Sequence, residues 1–175
     1  TDSSSFNHTL TQSGLPKGSY VTPFDQGSGS IESDDYTNRY IYVDDSDIQL
    51  GSGDFCIELY VNLVNQGANF PVFVDTRVNG SGDTNGFFWG IRDADNRIYL
   101  YTHSGTRISA DHSLTTDKWY HLAVTRESGT GRIFVNGVKR AEGTTTANYT
   151  QTSVLDIGNG YNNSGYEITG YMQDF

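Results

Sequence analysis

The side chains that could do chemistry in this sequence are carboxylates and aromatic rings. Sixteen Asp stand against five Glu, beside 12 Tyr, nine Phe and two Trp. Paired carboxylates would suit glycoside hydrolysis, since a retaining mechanism needs a nucleophile and an acid/base about 5–5.5 Å apart. No run supplies them. Glu32-Ser33-Asp34-Asp35 lies in a polar stretch without a second Glu, and Glu58, Glu127, Glu142 and Glu167 are scattered. No Gly-x-Ser-x-Gly elbow leads into a helix. His8, His103, His112 and His121 lack metal-ligand spacing, and His121 reads as a hydrogen-bonded structural residue. A non-enzyme is therefore expected.

Binding is the better use of these residues. Hard cations take six to eight oxygens, and oxygen-rich stretches occur at 33–35, at 44–47, at Asp75 with 79–85, and at Asp174. Sugars need rings for their C–H faces and planar polar groups for their hydroxyls. Tyr60, Arg77, Trp89, Arg92, Tyr99, Tyr101 and His103 are read as the outward set that supplies both. The Gly/Asn/Tyr loop at 159–167 is a second recognition candidate.

Short strands must position these groups. In "FCIELYVNLV", Ile57, Leu59, Val61 and Leu63 alternate with Glu58, Tyr60 and Asn62. In "WYHLAVTR", Tyr120, Leu122 and Val124 oppose Trp119, His121 and Ala123, and Ile98 and Leu100 likewise oppose Tyr99 and Tyr101. Asn136-Gly137 predicts a type I′ hairpin, "ESGTG" a looser one, and "DADN" a turn between "FFWGIR" and "RIYLYTH". The pattern is all-β, with alternating runs about ten residues apart and no helical periodicity.

The 175 residues fit one domain able to bury roughly 70% of its unfolded surface. Residues 1–30, rich in Ser, Thr and Gly, read as an irregular entry segment with at most one edge strand, and 31–175 as the domain. The net charge of −10, without a basic run, argues against nucleic acid as a partner. No apolar stretch is long enough to span a membrane as a helix. Cys56, the single cysteine, reads as a buried and silent thiol. The chain opens on Thr1 and its one Met is Met172, so it reads as a piece of something longer.

Five blocks in order, "YIYVDDSDIQLGSGDFCIELYVNL", "VFVDTR", "KWYHLAVTRESGTGRIFVNGVKRA", "LDIGNG" and "GYMQDF", resemble the concanavalin A-like lectin and glucanase superfamily. The resemblance is to its laminin-G-like modules of bacterial surface proteins and phage appendages. It implies a jelly-roll β-sandwich of two curved antiparallel sheets, with "DKWYHLAVTR…FVNGVKRA" as a central scaffold hairpin. It implies calcium, with Asp174 as the position that matches the relatives' C-terminal strand acid, although Gln173 stands where they often carry a second one. The laminarinase-like members carry Glu-x-Asp-x-x-Glu, which this chain lacks. The expected function is a non-catalytic recognition or adhesion module at an extracellular, cell or virion surface, binding glycan or cell-surface polysaccharide. A structural module contacting neighbouring subunits, and a divergent hydrolase using Asp pairs, are the alternatives.

Overall fold

A computed structural model describes residues 8–14, 17–19, 21–24, 29–33, 40–45, 48–65, 70–77, 85–102, 107–150, 154–160 and 166–175. The alternation seen in the sequence becomes β1 (Leu10–Ser13), β2 (Lys17–Ser19), β3 (Ser30–Ser33), β4 (Tyr40–Asp44), β5 (Phe55–Asn65), β6 (Val72–Asp75) and β7 (Phe88–Arg92). It continues in β8 (Arg97–Tyr101), β9 (Arg107–Asp111), β10 (Trp119–Glu127), β11 (Thr130–Val135), β12 (Val138–Thr144), β13 (Val154–Ile157) and β14 (Thr169–Gln173). They form two seven-stranded antiparallel sheets. The first runs β1-β4-β13-β6-β7-β8-β9 and the second β12-β11-β10-β5-β14-β3-β2. Together they make the jelly-roll sandwich that the sequence led us to expect.

The aliphatic halves of the strands meet between the sheets. Ile41, Phe73, Trp89, Ile91, Ile98, Leu100 and Ile157 from the first pack against Leu59, Val61, Leu63, Leu122, Val124, Ile133 and Met172 from the second. The hairpins form where the turn residues put them. Asn136 and Gly137 have φ of 50° and 74°, and Ser128 and Gly129 have 47° and 76°, the positive values that twist tightly paired strands correctly. A 3-10 turn over Asp93–Asp95 joins β7 to β8.

Three expectations need correction. The entry segment holds two strands, β1 and β2, one at an edge of each sheet. "LTQS" and "KGS" carry too little apolar alternation to be seen in sequence because edge strands this short are held by backbone bonds to a single neighbour. β3, where Glu32 and Ser33 were read as part of a polar loop, and β9 were also not foreseen, although Ile108 and Ala110 alternate with Arg107, Ser109 and Asp111. Cys56 is exposed, not buried. It pairs with Thr125 on the outer face of the second sheet, in phase with Glu58 and Tyr60 rather than with Ile57 and Leu59.

One buried cation closes the end of the sandwich. Arg126, at the inward phase of β10, is 2% exposed. Its Nε donates to the Gly53 carbonyl at 2.6 Å, Nη1 to Ala147 at 2.7 Å and Nη2 to Gly51 at 2.7 Å. The rings of Phe55 and Tyr149 flank its guanidinium, with centroids 5.1 and 4.8 Å from Cζ. Replacing it by Met is expected to destabilise the protein by about 3–5 kcal/mol, because three carbonyls lose their donors. Arg126→Lys should recover only part of this, since an ammonium lacks the planar fork. Urea denaturation of both variants checks this, and a loss below about 1 kcal/mol for Arg126→Met would remove Arg126 from the role.

Candidate functional site

On the first sheet, core residues alternate with a second set that faces outward. Val72, Phe88 and Tyr99 form a separate cluster there, joined by the half-buried Tyr101 and Tyr166. Strand register aligns this outer set into one row. Tyr42 of β4 partners Asp156 of β13, which partners Asp75 of β6. Asp75 partners Phe88 of β7, Phe88 partners Tyr101 of β8, and Tyr101 partners Arg107 of β9. Direct partners in an antiparallel sheet share a face, so the row crosses six strands, about 24 Å at 4.8 Å per strand.

Arginines lie along the rings. Arg77 forks onto Asp75, with Nε to Oδ1 at 2.9 Å and Nη2 to Oδ2 at 2.6 Å, while its backbone N–H reaches Oδ1 at 2.8 Å. Its guanidinium carbon sits 4.7 Å from the Phe88 centroid. Arg107 sits 5.0 Å from the Tyr99 ring and donates to the Tyr99 hydroxyl at 3.0 Å, and that hydroxyl in turn donates to the Asp95 carboxylate. Arg92 lies 5.5 Å from the Phe70 ring, which stacks on Tyr166 at 5.7 Å. Asp75 is fully enclosed beneath its arginine, whereas Tyr42 and Tyr101 are half-buried and Arg107 is exposed.

The two carboxylates of the row sit in different surroundings. Asp75 has Arg77 as counter-ion. Asp156 is buried, and that burial, reinforced by the neighbouring charge of Asp75, pushes its carboxyl up to about 7. The arrangement can stack against apolar ring faces and exchange hydrogen bonds in one plane. Its carboxylates are covered, which leaves little room for a scissile bond between them.

The structure divides the residues expected from sequence. Arg77, Arg92, Tyr99 and Tyr101 come together on the outer face of the first sheet. Tyr60 lies on the outer face of the second, against Phe24 and His121. Trp89 is a correction: it is fully buried in the core, because strand alternation puts it in phase with Ile91 and out of phase with Phe88 and Arg92. His103 and most of the 159–167 loop lie outside the described residues. His121 is hydrogen-bonded, its Nε2 lying 3.1 Å from Glu58 Oε2. Sequence reasoning missed Tyr42, Phe88, Arg107 and Asp156. The signal for Asp156 was available, as a single acid between the core residues Leu155 and Ile157.

Asp174 is exposed at the end of β14 and lines a groove with Ile48, Leu50, Cys56, Ile57, Glu58, Leu155 and Phe175. Apolar side chains make up most of that lining, and among the described residues no group of three or more His, Cys, Asp or Glu is gathered as a metal would need. That lining at Asp174 does not fit a hard cation, and the oxygen-rich stretches at 34–35, 46–47 and 79–84 lie outside the described residues.

No curated protein sequence matches the chain. Solved structures do match in fold. Domain 4 of AbnA, an extracellular GH43 arabinanase from Geobacillus stearothermophilus solved in complex with arabinotriose, superposes with a TM-score of 0.69 at 15% identity, over 94% of this chain and 78% of that one. Domains LG4-5 of the mouse laminin alpha1 chain superpose with 0.64 at 14% identity, over 89% of this chain and 41% of that one. The carbohydrate-binding module CBM66 from Bacillus subtilis gives 0.51 at 12% identity, over 95% and 92%. The model of the concanavalin A-like lectin/glucanases superfamily matches residues 35–175, so this chain belongs to that superfamily.

Proposed function

We propose that the protein is a non-catalytic carbohydrate-recognition module whose binding surface is the outer face of the first sheet. The observation that carries this reading is the six-strand row of tyrosine, carboxylate, phenylalanine and arginine, with Tyr42, Tyr101 and Arg107 accessible along it. An accessible ring such as Tyr101 offers a stacking platform to a sugar unit, and the exposed Arg107 beside it can donate to hydroxyls in pairs. Similarity of fold to an arabinotriose-bound domain and to a carbohydrate-binding module supports it. A module of this kind works at an extracellular or cell-surface location.

One observation favours hydrolysis as a second reading. Asp75 and Asp156 are cross-strand partners, one forked by an arginine and the other with its carboxyl pushed up to about 7, which resembles an acid and base set apart by environment. Their enclosure and the Arg77 fork weigh against it.

A glycan array in calcium and again in chelator, followed by titration of the best ligand, tests the recognition reading. Tyr101→Ala and Arg107→Ala should each weaken binding by about tenfold with the melting temperature little changed, equivalent to about 1.4 kcal/mol. Trp89→Ala should instead cost about 3–5 kcal/mol of stability as a core truncation. An array blank in both buffers, with reducing ends released from a polysaccharide, would reverse the two readings.

Asp156 gives a pH test of its own. Its folded value lies above the ordinary 3.8, so between about pH 4 and 7 the folded state binds more protons than the unfolded one, and stability falls as pH rises. Asp156→Asn should match the wild type near pH 4 and exceed it by at most about 4 kcal/mol at pH 8. Urea midpoints at the two pH values measure the difference, and a gap that does not grow with pH would show Asp156 ionised in the native state.

A further inference from the structure

The second sheet has an aromatic outer face of its own, separated from the first by the whole core. Asn62 of β5 is the register partner of both Trp119 on β10 and Tyr171 on β14. The two rings meet across it with centroids 6.4 Å apart and planes tilted by 42°. Asn62 lies between the core residues Val61 and Leu63, so its side chain takes the opposite, outward phase. It is nonetheless only 8% exposed, and its Oδ1 has no hydrogen-bond donor.

An amide oxygen held from water without a donor is destabilising, typically by about 1–3 kcal/mol. Nothing in the pleat demands it, since valine or threonine suits an outward strand position better. Two residues along β5, Tyr60 continues the aromatic surface with His121, centroids 5.0 Å apart. The second row is thus about 7 Å from the first along the strand. The carboxylates bordering these rows belong to Glu32, partner of Tyr171, and to Glu58, bonded to His121.

We propose that Asn62, Trp119 and Tyr171 form a second binding site, for a hydroxylated ring such as a pyranose. The ring's C–H face stacks on Trp119 and Tyr171, which part to let one hydroxyl donate to the Asn62 Oδ1 enclosed between their strands. An acceptor lacking a donor selects a ligand that donates. Trp119 and Tyr171 are half-buried side chains at the surface, free of the close packing that fixes Trp89. The site extends the recognition reading to another surface without depending on the first face.

The protein carries its own reporter, because Trp119 lies at the surface while Trp89 is fully buried. Tryptophan emission is titrated with neutral glucose-, galactose-, xylose- and arabinose-based oligosaccharides, in the wild type and in Tyr101→Ala. A saturable shift present in both, and weakened at least tenfold by Tyr171→Ala, is the expected result. Asn62→Val should lose the same affinity while stability stays level or rises, since an unsatisfied acceptor has been removed. A site serving structure alone predicts the reverse for Asn62→Val: lower stability and unchanged binding. The proposal is overturned if no sugar gives a saturable shift, or if Asn62→Val or Tyr171→Ala binds like the wild type. Binding abolished by Tyr101→Ala with Trp119 silent would leave the first face standing and remove this one.

Discussion

The Arg126 guanidinium is the constraint on which the closed end of the sandwich depends. It projects inward from β10, where its strand neighbours in phase are Leu122 and Val124, yet it meets three backbone carbonyls instead of a carboxylate. Those carbonyls belong to two separate segments, at 51–53 and at Ala147, that otherwise touch through the Gly51–Tyr149 bridge. Burial lowers the proton affinity of the guanidinium, but an arginine stays charged, so the cation needs polar partners wherever the fold puts it. Supplying them from loop carbonyls forces both loops to lie across the sandwich end. Tyr149 then packs 5.1 Å from Phe87, and Phe55 stacks on Phe87 at 6.1 Å, linking the loops to the chain that leads into β7.

With one end fixed in this way, each sheet has only its outer face left to present. The core consumes the aliphatic residues of both sheets, and what remains outward is unusually rich in rings. Isolated rings on a sheet face would be an aggregation liability. Here the first sheet covers them with arginines, Arg77 on Phe88, Arg107 on Tyr99 and Arg92 on Phe70. On the second, the rings of Trp119 and Tyr171 pack on each other, and among the described residues no arginine lies over them.

The fold was legible because alternation, turn chemistry and block order agree. Ile57, Leu59, Val61 and Leu63 announce a buried strand face, and Asn136-Gly137 announces its hairpin two strands away. The edge strands β1 and β2 were not legible, since four or three residues with at most one apolar side chain, held by one neighbour, leave no periodic trace. The site was legible only in part. Residue type picked out the rings and arginines, but it says nothing about phase. Trp89 was assigned outward with Arg92 although their separation of three residues puts them on opposite faces of any regular strand. Assembly of the row was beyond sequence for a different reason: Tyr42, Asp156 and Asp75 are far apart in the chain and meet only through strand pairing across β4, β13 and β6.

The row also has a direction. At its centre Arg77 is held to Asp75 by four hydrogen bonds and is 7% exposed, so neither it nor Phe88 beneath it can be offered to a ligand without breaking a buried ion pair. Breaking such a pair typically costs about 3–5 kcal/mol, more than one sugar contact returns. Arg107, by contrast, is exposed and is held by a hydrogen bond to Tyr99, a neutral partner that a sugar hydroxyl can replace at little net loss. On the proposed reading, the β8–β9 end is where a ligand would engage the row, with Tyr101 as platform and the exposed Arg107 as donor. The Asp75–Arg77 pair serves as the fixed foundation that keeps Phe88, and through it Tyr101, in position.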